Sequence, residues 1–243
     1  MTAATSPLPT AQFVAFVGEY LRFAGDNADE LLALTVEHFV IIVQAIAIAV
    51  PLGVLLGVLI TFDDRAATVV LWLSGVMMTI PSIALFGLLI PYFGIGQPPV
   101  IVALVLYSQL PVVRNTYVGL TQVDEAAVEA GRGLGMSRLE RLRRVQIPMA
   151  LPVIMAGVRN AVVILIGIAA IGAFIGAGGL GVLIFDGIDH ANVPQIVVTT
   201  VLLSALTLAF DYGFALLETF FRLRNGEEIE IPRGYALLTG GSQ

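Results

Sequence analysis

Long stretches without an ionisable side chain alternate along this chain with short polar ones, and their lengths predict its elements. Residues 39–62 form the first, matching the roughly 20 residues that cross about 30 Å of hydrocarbon. Residues 66–113 form a second, too long for one crossing, which Gly94-Ile95-Gly96-Gln97-Pro98-Pro99 interrupts with two glycines and two prolines. Further apolar runs lead from Leu151 to Gly172 and from Ile196 to Leu217. The pattern predicts an all-α polytopic membrane protein with five core spans, at about 39–60, 69–92, 100–118, 151–172 and 196–217. An odd number of spans puts the termini on opposite sides. Upstream, Phe13, Phe16, Val17, Tyr20, Leu21 and Ala24 recur at helical spacing, with Gln12, Glu19 and Arg22 elsewhere on the wheel. That suits an N-terminal helix lying in the membrane interface, or equally a solvated linker helix, after a polar tail, within a segment 1–33. Asp26, Asp29 and Glu30 then place acids where the next helix would begin.

Composition agrees with a bilayer: of 243 residues 58% are hydrophobic and 12% charged. Arginine is the only strong base, because the chain contains no lysine. A phosphate-binding loop of the Gly-x4-Gly-Lys-Ser/Thr kind is therefore excluded, and any ATP hydrolysis must occur on another subunit. With no cysteine and only His38 and His190 there is no expected metal centre, and a net charge of −6 argues against nucleic acid as a partner. Arg65, Arg132, Arg138, Arg141, Arg143, Arg144, Arg222, Arg224 and Arg233 fall on one side of the predicted bundle, against Arg22 on the other. The positive-inside rule then places the N-terminus outside and the tail, residues 223–243, in the cytoplasm.

The loop 124–148 is polar and arginine-rich between two apolar spans, so it is expected in water on the cytoplasmic side. Asp124 to Leu134 suits a short helix, Gly135 a bend, and Ser137 with Glu140 a capping box opening a second helix. In that helix Leu139, Leu142 and Val145 are expected along one face, Arg138, Arg141 and Arg144 along another, with Glu140 pairing Arg144. Pro148 and Pro152 are expected to end the loop and restart the chain as span four. A short amphipathic helix facing water calls for a partner groove.

Glu129-Ala130-Gly131, three residues, Gly135, nine residues, then Val145-Gln146-Ile147-Pro148 resembles the EAA loop of ABC-importer permeases, with spacing kept throughout and three positions changed. Gly131 stands for alanine, Val145 for isoleucine and Ile147 for leucine; Glu125-Ala126-Ala127 lacks the required spacing. Pro81-Ser82-Ile83-Ala84, Leu110-Pro111-Val112-Val113-Arg114-Asn115-Thr116, Met155-Ala156-Gly157-Val158-Arg159 and the run Gly176 to Gly181 extend the resemblance to permeases of glycine betaine, carnitine and choline uptake. Methionine-type permeases share the architecture and are the nearest rival. The resemblance implies a MetI-like type I importer permease in a prokaryotic plasma membrane. Its implied partners are cytoplasmic ATPase subunits carrying ATP and Mg, a second permease copy or paralogue, and an extracytoplasmic binding protein. The implied docking set is Glu129, Ala130, Gly131, Gly135, Ser137, Leu139, Arg141, Leu142, Val145, Ile147 and Pro148.

A betaine-like solute offers a permanent cation without N–H groups, which aromatic faces bind. Tyr92, Phe93, Tyr107, Phe174 and Phe185 are the candidates for its path, against a simpler role as interfacial anchors. Arg114, Arg159, Asp211 and Glu218 map toward the cytoplasmic span ends and are expected to pair structurally. Gly176, Gly178 and Gly181 satisfy a dinucleotide-loop spacing without its strand context, so they predict a pliable outer turn or a re-entrant segment. Gly53 and Gly57 suit close helix packing. An ion-coupled carrier and a transport-inert membrane anchor remain as alternatives.

Overall fold

The computed structural model describes residues 10–224; the N-terminal tail and most of the C-terminal tail, including Arg233, lie outside them, as do the side chains of Phe13 and Phe16. The described chain is helical throughout: α1 (Thr10–Asp26), α2 (Ala28–Leu59), α3 (Asp64–Thr79), α4 (Ser82–Phe93), α5 (Gln97–Thr121), α6 (Glu125–Gly133), α7 (Arg138–Arg141), α8 (Ile147–Gly172), α9 (Gly181–Asp189) and α10 (Val193–Arg224). Asn27 parts α1 from α2, and Asp29 and Glu30 occupy the first turn of α2, where the helix dipole favours acids. Helix α1 packs mainly against α10.

The second crossing is not the single helix expected over 69–92. Ile80 is extended, and α3 and α4 meet there at 101°. Pro81 has no N–H to continue the ladder and drives the residue before it out of the helical region. The bend frees the carbonyl of Ile80, and the Tyr107 hydroxyl, 2.5 Å away, donates to it. Tyr107 is therefore buried, with its hydroxyl committed to the break, rather than lining a path.

Helix α5 is the centre of the bundle, packed by α2, α3, α4 and α8. Three described helical stretches are long and apolar enough to cross a membrane, 28–62, 138–175 and 193–221, with the bent pair α3–α4 as a fourth. Of the five expected spans α5 differs in character: it runs the depth of the bundle but is less apolar than these stretches. Its neighbours shield it from lipid, and its polar side chains bond back to their own helix. Ser108 and Gln109 donate to Val105 O, Asn115 to Pro111 O and Thr116 to Val112 O. Close approach is licensed by glycines on both flanks. A Cβ at Gly53 would meet Val112, one at Gly57 would meet Thr116, and one at Gly157 would meet Asn115 and the Pro111 carbonyl.

The break expected at Pro148 is also absent. From Arg138 to Ile175 the chain is one helical rod, passing through a π turn at Leu142–Gln146 in which the Ile147 N–H reaches back to Leu142 O. In this widened turn Pro148 falls at the opening of α8, where a missing N–H costs little. The second half of the arginine-rich loop and the fourth crossing are one continuous helical stretch.

Candidate coupling hairpin and translocation cavity

At the arginine-rich end, Asp124 caps α6 by accepting from the Ala126 N–H at 2.9 Å. Gly135 turns the chain at φ 77°, a region costly to any side chain, and the Met136 N–H closes α6 on Gly131 O at 3.1 Å. Ser137 and Glu140 then form a reciprocal capping box: the Glu140 N–H meets Ser137 Oγ at 3.3 Å and the Ser137 N–H meets Glu140 Oε2 at 3.1 Å. Ser137 also donates from its hydroxyl to Glu140 Oε2 at 3.2 Å, and its two bonds to that oxygen, the backbone one first, followed by the charge of Arg144, hold the Glu140 carboxyl below the usual range. Arg144 stands at 3.9 Å, a loose surface pair.

A carboxyl whose folded pKa is depressed stabilises the fold above its unfolded pKa and ceases to do so as pH falls through the folded value. Amide exchange over residues 137–142, corrected for intrinsic rates, is therefore expected to quicken as pH drops below the ordinary glutamate range. In Glu140→Ala the protection at neutral pH should already be lost and that pH step should vanish; a wild-type profile in this variant would refute the capping role.

The residues expected to dock divide into two groups. Glu129, Ala130, Gly135, Ser137 and Leu139 are exposed, as is Leu134, which the sequence reading passed over. Leu142 departs from the expected outward stripe: it is buried against Leu120, Ala150 and Ile154. Val145, Ile147 and Pro148 are half-buried. The π turn rotates the helix so that the spacing-three face does not stay on one side. Arg141 folds back, donating to Met136 O at 2.9 Å and lying over Gly131, whose missing Cβ leaves room for its stem. Arg138 stacks on the Phe62 ring at 4.3 Å and ties α7 to the turn after α2. A cavity of about 410 Å³ separates this turn from α6, lined by Thr61, Phe62, Glu129, Arg132 and Arg138 among others.

At the opposite end Gly176, Gly178 and Gly179 all adopt positive φ. Two residues that sequence reasoning missed clasp this turn. Glu37 accepts from the Gly179 N–H at 2.9 Å and the Gln97 amide at 3.2 Å. Fully buried His38 donates from Nε2 to Ile166 O at 3.2 Å, since a carbonyl only accepts. A Cβ at Gly178 would collide with the Glu37 carboxylate, and one at Gly179 with the His38 ring. Of the aromatic path candidates, Tyr92, Phe93 and Phe174 are exposed, Phe185 is half-buried, and Phe174 meets Phe185 edge to face at 5.9 Å. Among the described residues, these two of the five are brought together.

A second cavity, about 620 Å³, opens between α3, α5, α8 and α10. Arg114, Asn115, Arg159, Asn160 and Asp211 supply its polar wall. The expected pairing is present for three of the four charged residues: Arg159 donates through Nε and Nη2 to the two oxygens of Asp211 at 2.5 and 2.7 Å, with Glu218 at 3.9 Å, while Arg114 joins no ion pair among the described residues. A signal for this cavity was available, since Val113-Arg114-Asn115 and Val158-Arg159-Asn160 put the same polar doublet into two apolar segments.

Comparison with known proteins gives one consistent picture. The family described as binding-protein-dependent transport system inner membrane component matches residues 49–223. This chain is 46% identical over 197 residues to the osmoprotectant import permease protein OsmW of Salmonella typhimurium, taking in 79% of this chain and 92% of that one. It is 39% identical over 198 residues to the choline transport system permease protein OpuBB of Bacillus subtilis, covering 82% and 91%. Among solved structures, an inward-facing MetNI methionine ABC transporter matches with TM-score 0.63 and 25% identity over 79% of this chain and 93% of that one.

Proposed function

This chain belongs to the binding-protein-dependent transport system inner membrane components, and we propose that it serves as the membrane half-permease of an ATP-driven importer for glycine betaine, carnitine, choline and similar osmoprotectants. The substrate class follows the named uptake systems to which it is 35–46% identical. It sits in a prokaryotic plasma membrane with the N-terminus outside, the glycine turn toward the binding protein and the hairpin 124–148 in the cytoplasm. The hairpin docks in a cleft of an ATPase subunit that holds ATP and Mg, and a second copy or paralogue completes the path. Exposed Leu134 and Leu139 are its apolar anchors, with Glu129 and Ser137 beside them.

One observation carries the mechanism: the docking helix and the fourth crossing form a single rod from Arg138 to Ile175. A displacement of α7 by nucleotide-driven closure of the ATPase pair is delivered along α8 to the glycine turn clasped by Glu37 and His38. Arg138 on Phe62 passes the same motion to the end of α2. Access then alternates by movement of packed helices around the path.

Reconstitution in vesicles with the cognate ATPase and binding protein tests the reading. Uptake of glycine betaine or carnitine is expected only with both partners and ATP. Uptake without the ATPase would indicate an ion-coupled carrier, methionine uptake in place of betaine would reassign the solute, and no uptake of any of them would leave a membrane anchor.

A further inference from the structure

The 620 Å³ cavity between α3, α5, α8 and α10 has the size of a small-molecule site, and its polar groups are unequally employed. Each of the two Arg-Asn doublets spends one member on structure. Asn115 donates its amide to Pro111 O at 2.7 Å, and Arg159 is held by Asp211 and Glu218. The other member of each is free: among the described residues neither Arg114 nor Asn160 makes a hydrogen bond or ion pair within the chain.

Arg114 lies seven residues before the end of α5, about 10 Å up the helix at 1.5 Å per residue. A bare guanidinium at that depth is costly against lipid and calls for a wet cavity or an anion. The acids cannot serve it, because Asp211 and Glu218 already face Arg159. Two carboxylates and one guanidinium leave that group with one net negative charge, while Arg114 carries one positive charge. Apolar Met78, Leu110, Pro111, Ala156, Val163 and Ile164 fill the rest of the lining. Glu218 stands outside the lining, so the lining itself, Arg114 and Arg159 against Asp211, has greasy walls and one net positive charge, with the acidic side chains gathered on its Arg159 side.

We propose that this cavity is a carboxylate station on the translocation path, in which Arg114 with the Asn160 amide receives the solute's carboxylate while its trimethylammonium group rests against the apolar wall toward Asp211. The proposal rests on the transport reading above. It makes the permease itself selective, independently of the binding protein: a zwitterion matches both poles, whereas choline, a cation without a carboxylate, leaves Arg114 unanswered. Arginine suits the role because its planar fork takes a carboxylate through two hydrogen bonds.

The test is uptake by the complete reconstituted transporter, supplied with binding protein and ATPase, of glycine betaine and of choline separately. Arg114→Gln is expected to reduce the ratio of betaine to choline uptake roughly tenfold, the worth of one charge-assisted contact. Asn160→Ala should shift the ratio the same way by less, and Arg114→Lys should recover part of it. ATP hydrolysis stimulated by the loaded binding protein should persist in all three. An unchanged ratio in Arg114→Gln, or an equal loss for both solutes that Arg114→Lys fully repairs, overturns the station while leaving the transport reading intact. Absence of uptake of either solute by the wild-type complex would instead sink the transport reading, and the station with it.

Discussion

Replacing Gly157 with leucine is expected to prevent α5 and α8 from packing, with little folded protein recovered from membranes. A Cβ at this position would stand 2.5 Å from Asn115 Cβ and 2.8 Å from the Pro111 carbonyl oxygen. The carbonyl belongs to the backbone of the most enclosed helix, so it cannot rotate away as a side chain would. Nor can α5 retreat, because on its far side Gly57 already lets Thr116 approach until an added Cβ would lie 2.5 Å away. Overpacking in a tight core costs about 1–3 kcal/mol, and separating two helices along their length forfeits more. Alanine at 157 should lower the thermal midpoint in detergent measurably, and leucine should abolish the transition. Gly167→Ala in the same helix meets nothing within 4 Å and is expected to be neutral or mildly stabilising. Equal effects at 157 and 167 would show that helix propensity, rather than contact with α5, governs these sites.

The features visible in the sequence are those set by neighbours a turn away or by charge. The capping box of Ser137 and Glu140 needs only a spacing of three, and the Arg159–Asp211 pair follows from opposite charges at similar depth in two apolar helices. Reading spans from the absence of ionisable residues was blind to what lies inside an uncharged run. It passed over Pro81, which bends the second crossing through 101°, and over Ser108, Gln109 and Thr116, which make α5 an enclosed helix rather than a lipid-facing one. Tyr107 looked like a path residue because its partner, a carbonyl freed by that bend, exists only once the bend does. Glu37 and His38 were silent for a related reason: their partners, Gly179 and Ile166, lie more than a hundred residues away in sequence, and nothing local marks either side chain as a clasp. Leu142 was misassigned because a straight α-helical wheel does not anticipate a π turn, which turns that side chain back toward Leu120 and Ile154.

Gly135→Val is expected to abolish most solute-stimulated ATP hydrolysis in the reconstituted complex while leaving insertion, thermal stability and the binding protein's affinity nearly unchanged. Space is not the cause, since a Cβ at Gly135 meets nothing within 4 Å. The cause is the backbone: at φ 77° an L-residue pays about 1–2 kcal/mol, and a β-branched one is the least tolerant. The turn relaxes by changing φ, and that swings α7 relative to α6, because the Gly135 N–H to Arg132 O and Met136 N–H to Gly131 O bonds set their angle. Leu134 and Leu139 flank the turn and are both largely exposed, so altering the angle moves one apolar anchor away from the other and the pair no longer fits one cleft. Glu129→Lys attacks the same surface by charge, its carboxylate being half-exposed and, among the described residues, engaged with Arg132 at 2.8 Å. Gly133→Ala, with open space and ordinary helical φ, is the matched control and should retain stimulation. Full stimulation in both Gly135→Val and Glu129→Lys would mean that the hairpin does not face the ATPase. Loss in the control as well would trace the effect to α6 itself rather than to the turn.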